Sequence, residues 1–220
     1  MADTREGIYF ERQSLQLCGV HALNSLLQQE AFSKKRLDGI AKGLAGEVEA
    51  PRRFRRSRHH GRLGNYDINV LMVALAEEGY DTKWHDARKP IAPELDSLPL
   101  APEGGLLINI RIKKKLFGSS RHWLALVALQ GGDEREWYNL DSKRKKPFRF
   151  RDQDHVDAMI MRALGKQDAQ VFIVSRKNEE EGGREEGGGE EGGEESSSSS
   201  TSSSSDSMSS STVSITSEYA

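Results

Sequence analysis

The chain has 220 residues with 32 basic and 34 acidic side chains, a formal net charge of −2, six histidines and a single cysteine. One cysteine excludes an intramolecular disulfide, no run approaches the roughly 18 continuous apolar residues of a membrane-spanning helix, and the opening MADTREG lacks the apolar core of a secretory signal. An intracellular, cytoplasmic protein is expected, with the nucleus left open by the arginine run described below.

The near-neutral total conceals two unlike parts. Residues 178–220 hold 15 Ser, 7 Gly and 11 Asp or Glu against one basic residue, Arg184. The tail is therefore −10, and a whole-chain charge of −2 leaves +8 on the body. So little apolar surface cannot offset the entropy of ordering the tail, which predicts disorder. The body, residues 1–177, suits one domain, expected over 7–177, that buries roughly 70% of its unfolded surface.

In chain order, the first predicted helix begins near Cys18, where Leu17, Val20, Leu23, Leu26 and Leu27 recur at steps of three and four. A second follows Ser33, a suitable N-cap, with Leu37, Ile40, Ala41 and Leu44 on one face. A third opens after Asp67, puts Ile68, Leu71, Met72 and Leu75 on one face, and ends at Gly79. Beyond a break at Gly104 and Gly105, Leu106 to Ile112 reads as a strand. His122 to Leu129 and Glu136 to Ser142 are two more strands, and Gly131, Gly132 and Asp133 between them signal a hairpin. A late helix spans about Asp154 to Leu164, and Gln170 to Ser175 is a last strand. Helices first and strands later predict an α+β domain.

The chemistry centres on Cys18. A cysteine at the start of a helix faces unpaired backbone N–H groups and the positive end of the dipole, which favour a thiolate. Most lone cysteines are small apolar core residues, so the thiolate needs a partner. His122, at the entry of the strand RHWLALVAL, is the candidate base, held near the surface yet fixed by the sheet. The following strand, EWYNLDS, offers Asn139 and Asp141 to orient the imidazole; alternation puts both on one face, and periodicity does not choose between them. His21 lies three residues beyond Cys18, but with no second cysteine and no other histidine at ligand spacing, no metal site is expected.

These residues lie within four segments, IYFERQSLQLCGVHALNSLLQ, GNYDINVLMVAL, RHWLAL and YNLDSK, which resemble in the same order the signature segments of the Josephin family of cysteine deubiquitinases, most closely its short members. The likeness runs from about Gly7 to Ser175. It implies a papain-like fold, in which a helical part and an antiparallel β-sheet flank the cleft. It implies Cys18 as nucleophile, His122 as the catalytic histidine, Asp141 as the third member, and Gln13 as a contributor to the oxyanion hole. The implied reaction is hydrolysis at the ubiquitin C-terminus through an acyl-thioester, without a cofactor, on ubiquitin or polyubiquitin conjugates. Trp123 would be either a wall of the channel for the two C-terminal glycines of ubiquitin or plain core.

Between the second and third helices the sequence departs from the family. The run PRRFRRSRHHGRLG carries Arg52, Arg53, Arg55, Arg56, Arg58 and Arg62, with His59 and His60 expected to be exposed. It suits a nuclear-localisation signal, an anionic contact, a dock for the acidic tail, or a solvated loop. Phe54 is its only aromatic residue, so base stacking has little support and no nucleic-acid partner is expected. A monomer is expected. The competing readings are a ubiquitin-binding module with little turnover and a papain-like enzyme acting on another substrate.

Overall fold

The computed structural model describes residues 2–3, 7–14, 16–45, 65–113 and 118–177, with backbone only at 2–3. The arginine run and the tail, and the expectations attached to them, lie outside the described residues. Two short strands, β1 (Ala2–Asp3) and β2 (Phe10–Glu11), pair antiparallel and precede three helices, α1 (Cys18–Leu26), α2 (Lys34–Leu44) and α3 (Ile68–Glu77). Then follow β3 (Tyr80–Trp84), α4 (Ala92–Ser97), β4 (Gly104–Lys113), β5 (Ser119–Gly131), β6 (Glu134–Asn139), β7 (Phe148–Arg149), α5 (Gln153–Lys166) and β8 (Gln170–Arg176). The strands β3-β8-β4-β5-β6-β7 form, in that order, a six-stranded sheet in which every pairing is antiparallel. The expected α+β architecture, a helical part against an antiparallel sheet, is what forms.

Local chemistry sets the helix ends. Ser33 and Asp67 each accept a hydrogen bond from the backbone N–H three residues on, at Arg36 and Val70. Gly79, with φ at +81°, follows α3 in the left-handed conformation that ends helices at low steric cost. The β5–β6 hairpin closes through Gly132 and Asp133, and Gly132 takes the positive φ of +66° that the tight connection needs.

Helices cover both faces of the sheet. On one side Leu23, Leu26, Leu37, Leu71 and Leu75 of α1, α2 and α3 pack on Leu107, Trp123, Ala125, Val127 and Val174. On the other, Leu95 of α4 and Val156, Ile160 and Ala163 of α5 pack on Leu106, Ile108, Leu124, Leu126 and Val171. Coverage on both faces explains why β4 and β5 read as continuous apolar runs rather than alternating ones.

Three expectations need correction. Gly104 and Gly105 are the first residues of β4, not a break before it; a Cβ on Gly104 would lie 2.9 Å from Pro99 Cδ and 3.0 Å from the Val174 carbonyl oxygen. Met72 is 39% exposed, and α3 instead buries Val70, Leu71, Ala74 and Leu75. The last strand of the hairpin stops at Asn139, leaving Asp141 and Ser142 in the turn beyond it.

Candidate active site

Cys18 is the first residue of α1, and no side chain caps that helix end. The first α-helical hydrogen bond runs from the His21 N–H to the Leu17 carbonyl, so the Cys18 N–H precedes the intrahelical ladder. The next residue is Gly19, where a Cβ would meet Leu71 Cδ2 at 3.3 Å, Tyr66 Cδ2 at 3.6 Å and Trp123 Cδ1 at 3.7 Å. The lack of a side chain there lets the thiol end of α1 sit close against α3 and β5.

The structure brings Cys18, His122 and Asp141 together from three places in the chain: the start of α1, the fourth residue of β5 and the turn after β6. His122 Nε2 lies 2.6 Å from Asp141 Oδ1. With Nε2 committed to that carboxylate, Nδ1 is the ring nitrogen left to interact with the thiol. The Trp123 backbone also acts on the Cys18 sulfur.

The electrostatics follow from these contacts. Burial works to raise the Cys18 pKa, but hydrogen bonds from His122 and the Trp123 backbone, with positive charge at His122 and Lys143, pull it below the usual thiol value. Burial works to lower that of His122, yet Asp141 and the thiolate raise it. Burial likewise opposes ionisation of Asp141, and its bonds from His122 and the Lys143 N–H prevail and hold it low. All three directions favour one state, thiolate–imidazolium–carboxylate.

All three groups are deeply buried, with 4% of Cys18, 1% of His122 and 2% of Asp141 exposed. His122 is therefore inside the protein, not near the surface, and β5 begins at Ser119, so His122 is its fourth residue rather than the expected strand entry. Trp123 is 2% exposed, donates from Nε1 to the Tyr66 carbonyl at 2.9 Å, and packs on Phe172 with ring centroids 5.9 Å apart. It is core, not the wall of an open channel.

Asn139, the rival of Asp141, has a different part. Its Oδ1 accepts from the Asp141 N–H at 2.9 Å, and Asp141 Oδ1 accepts from the Lys143 N–H at the same distance. The Asn139 side chain thus shapes the turn that presents the carboxylate. Gln13 joins the same turn from the other side: its N–H donates to the Ser142 carbonyl at 2.7 Å, and the Ser142 hydroxyl donates to Gln13 Oε1 at 3.3 Å. An amide whose oxygen is engaged in this way directs its NH2 elsewhere as a donor. The parts of Ser142, Lys143 and the Trp123 N–H are not legible in the sequence, since all three act at least in part through the backbone, and only the run NLDSK around Asp141 points toward the first two.

His21 does not face the thiol. Its Nδ1 pairs with Glu11 Oε2, and its Nε2 accepts from the Ser14 N–H at 3.5 Å. Among the described residues no group of three or more His, Cys, Asp or Glu side chains is placed to hold a metal ion. No helix among them is long and apolar enough to cross a membrane.

A buried cysteine, histidine and carboxylate arranged in that order have the groups that a cysteine nucleophile requires. The Josephin family model matches residues 13–175, a span that contains all four candidate residues. The chain is 39% identical over 183 residues to Josephin-2 of Homo sapiens, covering 80% of this chain and 90% of that protein. It is also 39% identical over 170 residues to a Josephin-like protein of Arabidopsis thaliana, covering 73% of this chain and 45% of the relative. Ataxin-3 of Gallus gallus is more distant, 28% identical over 182 residues, which are 77% of this chain and 45% of that protein. This chain belongs to the Josephin family.

Proposed function

We propose that this protein is a thiol-dependent deubiquitinase that hydrolyses the bond at the ubiquitin C-terminus. One observation carries the reading: His122 Nε2 lies 2.6 Å from Asp141 Oδ1, and the same buried imidazole acts electrostatically on the Cys18 thiol and lowers its pKa. Cys18 attacks the carbonyl carbon of the terminal glycine as a thiolate. The negative charge that develops on the carbonyl oxygen is met by the Cys18 backbone N–H and the Gln13 amide. His122, protonated and held by Asp141, gives its proton to the departing lysine amine. An acyl-thioester remains on Cys18. Neutral His122 then takes a proton from water, hydroxide adds to the thioester, and the thiolate leaves.

A second reading, a ubiquitin-binding module with little turnover, draws on the near-complete burial of Cys18 and His122. Ubiquitin bearing a C-terminal electrophile separates the two. Cys18 is the only thiol, so any thiol adduct seen by intact mass is on it. An adduct lost in Cys18→Ala and suppressed in His122→Ala supports the hydrolase. Binding of ubiquitin to the folded protein without an adduct supports the module. Neither adduct nor binding overturns both.

A further inference from the structure

One flank of α1 carries a partly buried polar network that the reaction scheme leaves unused. His21, Asn24 and Gln28 stand three and four residues apart, on one side of the α1 helix and its C-terminal extension. All three reach the segment that leads from Tyr9 to Ser14. His21 Nδ1 pairs with Glu11 Oε2, while Asn24 Nδ2 donates to Glu11 Oε1 at 3.2 Å and Tyr9 donates its hydroxyl proton to the same oxygen. Gln28 Oε1 accepts from the Tyr9 N–H at 3.0 Å. Glu11 is only 9% exposed; burial opposes its ionisation, yet these donors hold it ionised.

A carboxylate so enclosed has a clear geometric consequence. The segment pairs with another strand only at Phe10 and Glu11, so residues 12–14 have no sheet partner to hold them. Side-chain and backbone bonds at two ends help to place them. On the α1 side the bonds are Glu11 to His21 and the Ser14 N–H to His21 Nε2. On the Asp141 side they are the two bonds between Gln13 and Ser142. Gln13 is thereby suspended between the helix of the nucleophile and the turn of the carboxylate. Both ring nitrogens of His21 are engaged in this, which removes it as a base or ligand.

We propose that His21 and Glu11 are positioning residues that set the Gln13 amide against the oxyanion; the proposal rests on the hydrolase reading above. Gln13→Ala, which removes the donor, lowers kcat on a fluorogenic C-terminal amide of ubiquitin by about 10²–10³. His21→Ala leaves the donor present but displaced, and lowers kcat by about tenfold with KM little changed. His21→Asn, whose amide N–H can replace Nδ1–H toward Glu11, recovers part of the loss.

The decisive comparison is the double variant. If His21 acts through Gln13, then His21→Ala combined with Gln13→Ala is no slower than Gln13→Ala alone. Alkylation of Cys18 by iodoacetamide, which forms no oxyanion, proceeds at the wild-type rate in His21→Ala. Losses that multiply in the double variant, or alkylation that falls in step with kcat, overturn the proposal. Glu11→Gln, nearly isosteric, carries the same cycle if His21→Ala does not fold. An active wild type with undiminished His21→Ala and Glu11→Gln overturns the positioning role alone. A wild type with neither turnover nor labelling by the ubiquitin electrophile overturns the hydrolase reading and this role with it.

Discussion

Replacing Asp141 by Asn tests the electrostatic logic of the site with little change of shape. The carboxylate accepts from His122 Nε2 at 2.6 Å, and an amide oxygen in the same place keeps that bond while losing the charge. At a charge separation of about 4 Å and an effective dielectric of about 20, the charge is worth at most about 4 kcal/mol. The retained hydrogen bond and the thiolate neighbour reduce this, and the His122 pKa, raised in part by Asp141, falls in the variant. The wild-type kcat/KM on a ubiquitin C-terminal amide should be bell-shaped, its acid limb set by thiolate formation and its alkaline limb by loss of the imidazolium proton. In Asp141→Asn the alkaline limb moves down in pH while the acid limb moves little. With less imidazolium to hold it, the thiolate fraction at neutral pH falls, and iodoacetamide alkylation of Cys18 slows with it. An alkaline limb that stays in place or moves up would refute the coupling between Asp141 and His122.

Further substitutions test the scaffold. Asn24→Ala removes the Oδ1 that accepts from the Ala31 and Phe32 N–H groups at 3.1 and 2.8 Å, and should cost about 2–4 kcal/mol in urea unfolding. Gly104→Ala forces a Cβ against Pro99 and the Val174 carbonyl, and should lower stability by about 1–3 kcal/mol, read in the same way. Ser33→Ala deletes the cap on the Arg36 N–H at 3.3 Å and should cost about 1 kcal/mol, without effect on Cys18 alkylation. Asp141, whose pKa is lowered by folding from 3.8, stabilises the fold fully above that unfolded value. Its contribution is lost as the pH falls through the lower folded value, so Asp141→Asn should flatten the acid end of the stability profile.

Much of the architecture is local and could be read along the chain. Periodicity located α1, α2, α3 and α5, side-chain chemistry located the caps at Ser33 and Asp67, and the glycines at 131 and 132 located the hairpin. These features depend on residues within a few positions of one another, so the sequence carries them whole. The elements that escaped are those with no local pattern of their own. The strand β3, YDTKW, is charged and lies at the sheet edge, where β8 alone supplies its pairing. The six-residue α4 and the two-residue β7 are too short to show a period.

The candidate site divides along the same line. Cys18 at a helix start and His122 on a strand are legible in sequence, although β5 begins at Ser119, three residues before the expected entry at His122. Which neighbour meets the imidazole is not, since Asn139 and Asp141 share a parity and only resemblance to a family chose between them. The structure separates them because β6 ends at Asn139 and its side chain turns the chain, carrying the Asp141 carboxylate to His122. The burial of His122 and the exposure of Met72 were likewise decided by tertiary packing. Sequence reports the period of an element, but packing decides which side of that period is inside, because closure of the sheet involves residues far apart in the chain.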